Sequence, residues 1–447
     1  MSDRNDQTDD PKGLSVPAGR TARAARLGAM TAGVAGNMAL SGLATLGRGE
    51  RPRMRDLLLT PRNITRITGE LAKMRGAAMK MGQLMSMDTG DVLPPELAQI
   101  MARLRDDAYI MPPKQLRAVL DAEWGQGWLS RFKRFDVRPI AAASIGQVHR
   151  AVTKDGRDLA IKVQYPGVAG SIDADVSNVG ALVRMTGLLP KGFELKPYLA
   201  EAKRQLHDET DYTAEARSLT QFGRVLSGDE RFIVPTAHDD WSTPRILAMD
   251  FVQSVPIESL ETADQVTCNR AAHALIDLML TELFDLRLMQ TDPNFANYRW
   301  QVGTGRIVLL DFGATRALGD KIVADYAAIM DAGLAGDRQR LALAAERVGF
   351  LGSETNEQRH MILRLMELVF EALTTAPEFD FADPTLNRVM QAQGMALAET
   401  GYVPPPLPMD ALFLQRKFAG MFLLAAKLRA KLPVATMLAD KLTARAA

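Results

Sequence analysis

Residues 290–313 read QTDPNFANYRWQVGTGRIVLLDFG. Two carboxylates and one carboxamide stand out. Asp292 and Asn297 have an Asp-x4-Asn spacing in a stretch that follows a helical pattern and contains a proline, hence a loop. Asp311 opens Asp-Phe-Gly directly after a short apolar strand, Ile307–Leu310, which is preceded by a hairpin-like turn at Gln301–Arg306. The chemistry accounts for these residue types. An aspartate in the loop can accept or orient the proton of an attacking hydroxyl, or position a water. An asparagine oxygen ligates a divalent metal without adding charge. A second aspartate, Asp311, holds a metal that bridges phosphates. Taken singly, the loop is also an ordinary Asx/Pro turn, and the tripeptide occurs by chance. What separates the readings is the sequence upstream.

Two β-type runs lie there, Ile145–Val152 and Leu159–Val163, with Asp155-Gly156 between them. Asp-Gly between such runs is a hairpin signal. Lys162 stands in the second run, in Ala160-Ile161-Lys162-Val163, as a fixed cation that can reach nucleotide phosphates. A long helical stretch from Lys196 to Val225 follows and carries Glu215, a carboxylate able to hold the lysine in place. Lys, helix Glu, Asp-x4-Asn and Asp-Phe-Gly therefore occur in the order a protein-kinase-like phosphoryl-transfer site needs. Asp292, Lys162 and Glu215 are the catalytic candidates; Asn297 and Asp311 are the metal candidates. The first hairpin strand has no Gly-x-Gly-x-x-Gly. It reads Ala141-Ala142-Ala143-Ser144-Ile145-Gly146-Gln147-Val148. Amides at Ala141, Ala142 and Ala143 can still cover phosphates, with Ser144 as an added donor. Alanine restricts φ relative to glycine, so this loop is stiffer. Asp250 and Val252 complete the expected nucleotide-binding set.

The expected fold class is α+β: a two-lobed protein-kinase-like fold with an N-terminal helical extension and a mostly helical C-terminal lobe. The expected divisions are 1–53, a polar leader and a small-residue helix; 54–130, the helical extension; 131–256, the N-lobe; and 257–447, the helical C-lobe. Within the extension, Leu57–Met79 has helical spacing, and the pairs Pro94-Pro95 and Pro112-Pro113 start further helices. Ile233–Pro235 and Arg245–Val252 look like strands joined by a polar turn at His238–Pro244. Thr262 to Met289 looks like one helix with Thr262 as N-cap. Asp320–Ala447 looks nearly all helical, broken at Pro404–Pro408, and carries no readable motif.

Composition excludes several classes. Hydrophobic residues make up 47% of the 447, enough for a sizeable core. The formal net charge of +1 gives no global sign of nucleic acid as a partner. The single cysteine, Cys268, permits no intrachain disulfide or cysteine metal site and fits a reducing, cytoplasmic compartment. The five histidines lack metalloprotease spacing. The polar leader contains no signal-peptide core. Leu27–Gly47 is uncharged, long enough to span a bilayer and flanked by arginines, yet filled with Gly, Ala, Ser and Thr. Two readings stay open: a small-residue helix packed on the protein, or a helix in contact with membrane.

Three further motifs carry a resemblance. The alanine-rich loop is one, Lys80-Met81-Gly82-Gln83 is the second, and Glu209-Thr210-Asp211 on the long helix is the third. With them, residues 54–330 or so resemble the UbiB/AarF atypical kinases linked to ubiquinone biosynthesis. The resemblance implies that Lys80, Gly82 and Gln83 form a motif over the active site, with Glu209 and Asp211 interacting with it. It implies ATP and Mg2+ as cofactors, with slow ATP hydrolysis in place of efficient protein phosphorylation. It also implies membrane lipid, quinone precursors and proteins of a biosynthetic complex as partners, and peripheral membrane association. The match is incomplete. Where the family reads His-Ala-Asp-Pro-His-Pro-Gly-Asn, Asp292, Pro293 and Asn297 agree, whereas Gln290, Asn294, Phe295 and Ala296 differ. After Met249, Asp250 and Ser254 replace the family's Glu and Gly. Three functions remain: an ATPase or atypical kinase, a nucleotide-binding scaffold without turnover, and a small-molecule phosphotransferase. The Lys-x-Gly-Gln motif counts against the last.

Overall fold

The computed structural model describes residues 74, 76–78, 80, 81, 110–186, 195–405 and 407–446. The leader, Leu27–Gly47, most of Leu57–Met79, the helix at Pro94-Pro95, Gly82 and Gln83 lie outside the described residues. In chain order the elements are α1 (Pro113–Trp124), β1 (Phe132–Phe135), β2 (Ala141–Ala142), β3 (Gly146–Thr153), β4 (Asp158–Gln164), α2 (Ile172–Thr186), α3 (Leu195–Glu209) and α4 (Tyr212–Val225). Then come β5 (Phe232–Ile233), β6 (Ile246–Asp250), β7 (Val255–Pro256), α5 (Gln265–Thr281), β8 (Leu288–Gln290), β9 (Tyr298–Gln301), β10 (Arg306–Leu309) and β11 (Thr315–Ala317). Helices α6 (Asp320–Leu334), α7 (Arg338–Val348), α8 (Asn356–Thr374), α9 (Thr385–Glu399), α10 (Met409–Lys427) and α11 (Val434–Ala446) finish the chain. It divides into two compact units: the described residues up to Gln221 with Pro235–Phe251, and Phe222–Val234 with Val252 onward.

The first unit is built on an antiparallel sheet of order β1-β3-β4-β6, with β2 paired to β3. The β3–β4 hairpin turns through Gly156, whose φ of +98° suits glycine. Side chains alternate along β4. Leu159, Ile161 and Val163 enter the core with Ala151, Trp128, Phe132, Trp241, Ile246 and Ala248, under Leu116, Val119 and Leu120 of α1. Each leucine, isoleucine, valine or phenylalanine among them contributes about 1.5–3 kcal/mol on burial. The alternation turns Lys162 to the opposite face. The long helix expected from Lys196 to Val225 is two helices. Asp211 Oδ1 accepts from the Thr213 and Ala214 N–H groups at 3.0 and 3.1 Å, which starts α4 afresh. An aspartate offers the backbone this alternative to helix continuation. Helix α2 went unassigned from sequence, although Asp173 and Asp175 fill its first turn and Val176, Val179 and Val183 recur at helical spacing.

In the second unit the sheet order is β5-β10-β9-β7. The hairpin between Gln301 and Arg306 is present as β9–β10. Phe232–Ile233 and the strand after Arg245 do not form a joined pair: β5 runs parallel to β10, whereas β6 pairs with β4. The intervening segment is no simple turn. Trp241 N–H and Ser242 Oγ both donate to the His238 carbonyl, and Trp241 is buried. Helix α5 begins later than expected. Its N-cap is Asp264, which accepts from Thr267 N–H at 2.9 Å, while Thr262 ends a 3-10 turn. It also ends earlier, in a π-turn at Glu282–Leu286, because β8 pairs with β11. Helix α5 is buried on most sides, from Cys268 to Leu280, as expected for a helix at the centre of a large unit.

Candidate active site

In the first unit, Lys162 Nζ donates to Glu215 Oε1 and Oε2 at 2.7 and 2.8 Å. The side chains are 10% and 4% exposed, so each charge is held where water is scarce. Such a pair persists because removing either partner strands the other. Nζ also lies 5.0 Å from the centre of the Tyr212 ring. The strand that carries Lys162 is closely backed at Gly146. A Cβ there would stand 2.4 Å from the Val163 carbonyl oxygen and 2.9 Å from Tyr212 Oη, so no larger residue fits.

The alanine-rich stretch is a tight hairpin. Ala141 and Ala142 form β2, and Ala143 N–H donates to the Gly146 carbonyl at 2.8 Å. Ser144 Oγ donates to Glu209 Oε2 at 2.9 Å. The other Glu209 oxygen pairs with the buried Lys80 ammonium. Glu209 thus clamps the loop and the helical segment bearing Lys80 together, and the Ser144 hydroxyl is taken up by this clamp. Asp211 caps α4 and lies 3.6 Å from Arg217; Gly82 and Gln83 of the motif it is expected to interact with lie outside the described residues. Burial works to raise its pKa, but the Ala214 and Thr213 donors outweigh it and hold the carboxyl below its ordinary range. At the end of β6, Asp250 is turned back to its own unit: it accepts from Thr236 N–H at 3.0 Å and pairs with His238 Nε2 at 2.8 Å. The Val252 carbonyl accepts from Ser254 Oγ at 3.0 Å.

In the second unit, two connections bring the loop and Asp-Phe-Gly together. Gln290 of β8 pairs with Thr315 of β11, and Leu310 N–H donates to the Asn297 carbonyl at 3.1 Å. Asp311 Oδ1 accepts from Gly313 N–H at 2.9 Å. Phe312 is buried, its ring 4.8 Å from that of Phe222. Asn297 Nδ2 donates to the Asp292 carbonyl at 3.1 Å, which leaves its amide oxygen as the atom a metal could use. Among the described residues no cluster of three or more His, Cys, Asp or Glu could hold a metal alone. The donors here, one carboxylate and one amide oxygen, fit Mg2+, a hard ion that takes few protein oxygens and completes its shell with phosphate and water.

Sequence reasoning missed the residues of α10. Arg416 Nη2 donates to Asp292 Oδ1 at 2.6 Å. The buried Lys417 donates to the Gln290 carbonyl at 2.9 Å and to Tyr298 Oη at 3.1 Å, and pairs with Glu282 at 3.1 Å. Burial opposes its charge, but Glu282 and Tyr298 prevail and raise its pKa. Burial in turn pushes Glu282 and Tyr298 up. Asp410, at the start of the helix, accepts from Arg316 Nε at 2.5 Å. One signal was available: Lys417 falls on the apolar face formed by Phe413, Leu414, Met421 and Leu424, where an unpaired lysine would be costly.

The chain is similar to several known proteins. The ABC1 atypical kinase-like domain matches residues 103–345. The mitochondrial atypical kinase COQ8 of Saccharomyces cerevisiae is 36% identical over 436 residues, covering 97% of this chain and 86% of that protein. The mitochondrial atypical kinase coq-8 of Caenorhabditis elegans is also 36% identical, over 426 residues; the match covers 93% of this chain but 56% of that protein. Among solved structures, Rv3197 of Mycobacterium tuberculosis, determined as an erythromycin complex, aligns with a TM-score of 0.56 at 24% identity over 82% of this chain and 92% of that one. That likeness concerns the fold, which is kinase-like and α+β as expected.

Proposed function

The chain belongs to the ABC1 atypical kinase-like family, and from that premise we propose that it binds Mg2+-ATP and cleaves or transfers the γ-phosphoryl group. The reading includes a role in ubiquinone or related membrane-lipid metabolism. The observation that carries it is the buried Lys162–Glu215 pair, a cation fixed on a strand by a helix carboxylate. Lys162 holds the α/β-phosphates, and Asn297 and Asp311 hold the metal. When bound, Mg2+ neutralises charge on the phosphates. Asp292 orients the acceptor, a water or a small-molecule hydroxyl. The partners that go with this reading are lipid, quinone precursors and other proteins of a biosynthetic complex, met at a membrane surface. No helix of the described residues is long and apolar enough to cross a membrane.

A second reading, a nucleotide-binding scaffold without turnover, is favoured by one observation: the Ser144 hydroxyl is occupied by Glu209. The test measures inorganic phosphate and phosphorylated product from Mg2+-ATP, with and without anionic liposomes, beside Asp311→Asn. Phosphate release that vanishes in the variant supports hydrolysis, and a labelled small molecule supports transfer. Equal inactivity of both proteins, with nucleotide still bound, selects the scaffold.

A further inference from the structure

The loop from Gln290 to Asn297 contains no lysine or arginine. Asp292 is therefore an anion whose own loop brings no cation, in a site proposed to receive a polyanionic nucleotide. The structure supplies the cation from elsewhere. Arg416, over a hundred residues later in sequence, reaches Asp292 Oδ1 through Nη2 at 2.6 Å. Among the described residues that is its one hydrogen bond, which leaves Nε and Nη1 as further donors of a planar fork. The side chains are 16% and 19% exposed, partly shielded from water.

The placement is enforced on both sides of Arg416. Its neighbour Lys417 is buried and bonded to the Gln290 carbonyl, two residues before Asp292. One turn further along α10, Gly420 lies directly against Pro293. Arg416 thus cannot drift relative to the loop without breaking the buried hydrogen bond from Lys417 to Gln290.

We propose that Arg416 is a guanidinium supplied in cis for phosphoryl transfer, neutralising Asp292 in the ground state and donating its remaining N–H groups to the phosphoryl oxygens as charge develops. This rests on the proposed Mg2+-nucleotide reading of the same site. In the hydrolytic case the oxygen of water bonds to the γ-phosphorus and the bond to the β–γ bridging oxygen breaks. That bond's electron pair leaves on ADP, and the water proton passes by way of Asp292 to solvent. Arginine placed in this way stabilises charge that exists only in the transition state, so its effect falls on turnover and leaves ground-state binding almost unchanged.

The experiment measures equilibrium binding of Mg2+-ADP to the full chain, alone and with aluminium fluoride as a mimic of the transferring phosphoryl group. Wild type, Arg416→Ala and Arg416→Lys are compared, each with its melting temperature. Fluoride is expected to tighten binding to wild type by about 10²-fold or more. Arg416→Ala should lose most of that tightening while Mg2+-ADP alone changes by less than about threefold. Arg416→Lys keeps the pair with Asp292 but offers a point charge, and should lose at least about tenfold of the tightening. Should the alanine variant fail to fold, the lysine variant decides. Wild-type tightening in either variant overturns the proposal, as does faster ATP turnover in Arg416→Ala, which would mark the pair as a restraint. Wild type that binds Mg2+-ADP without tightening overturns it but leaves nucleotide binding standing. Wild type that binds no Mg2+-ADP removes both.

Discussion

Gly420 and Pro293 are in such close contact that a Cβ built on the glycine would stand 2.3 Å from the proline Cβ and 2.6 Å from its Cγ. The proline ring belongs to the loop between Asp292 and Asn297, and the glycine belongs to α10. A rigid ring and a bare backbone thus set the distance at which the helix meets the loop. Arg416 and Lys417 reach their partners from that fixed distance.

Gly420→Ala should therefore push α10 off the loop. Overpacking of this kind costs about 1–3 kcal/mol. The expected outcome is a lower melting temperature together with reduced Mg2+-ATP turnover. Gly394, inside α9 with nothing near its would-be Cβ, is the control. Its change to alanine should leave turnover alone and stabilise the fold by up to about 1 kcal/mol.

Lys417→Ala leaves Glu282 buried without its cation and the Gln290 carbonyl without its donor. Loss of one partner of a buried pair costs about 3–5 kcal/mol, and denaturant unfolding should show it. Because the folded pKa of Lys417 is raised, its contribution is complete below the ordinary lysine pKa and disappears only as pH rises through the folded value. Glu282, left buried without that cation, is an acid that burial pushes up, so the variant loses further stability as pH rises above the ordinary glutamate range and the cost of the substitution should grow with pH. A cost that stays flat from about pH 5 to 9 would contradict the assignment.

Asp211→Ala removes the N-cap of α4. The expected cost is about 1 kcal/mol, seen in thermal unfolding, because the Thr213 and Ala214 N–H groups lose their acceptor. Since the cap leaves Glu215 one turn inside α4, weaker Mg2+-ATP binding should accompany it. If α4 and the nucleotide site are unrelated, stability alone will fall.

His149 gives the first unit a pH dependence. Its imidazole is buried, with Nδ1 2.8 Å from the Asp136 carbonyl and Nε2 2.8 Å from the Gln147 amide. Burial pushes its pKa down. Below about pH 6.5 the unfolded chain binds a proton that the folded chain refuses, so stability falls as pH drops through that value. Melting scans between about pH 7 and 5 should show the slope in wild type, and His149→Gln should flatten it.

Much of the fold was legible because its strongest signals are local. The β3–β4 hairpin follows from alternating apolar residues around Asp155-Gly156, and the strand before Asp311 from a short apolar run. Family motifs carried the rest of the kinase-like assignment. What sequence could not give was pairing at a distance. Phe232–Ile233 has the composition of a strand, yet its partner is β10, more than seventy residues on. Asp211 sits two residues after Glu209, and that its carboxylate caps the next helix is a local role the motif spacing does not announce. The candidate site was legible as a set of residue types, including the Lys162 and Glu215 that the structure brings into contact. Arg416 was not, because an arginine on a helix face carries no mark of what it touches. Only the packing of α10 on the loop reveals its partner.

The most direct test of the account is the Mg2+-ATP-dependent shift in melting temperature of the full chain, beside Lys162→Met and Asp311→Asn. The account predicts a shift in wild type equivalent to about 2.7 kcal/mol when the nucleotide is at a hundred times its Kd, lost on chelation of Mg2+ and sharply reduced in both variants. A wild type that shows no shift at saturating Mg2+-ATP, or variants that shift as it does, would contradict it.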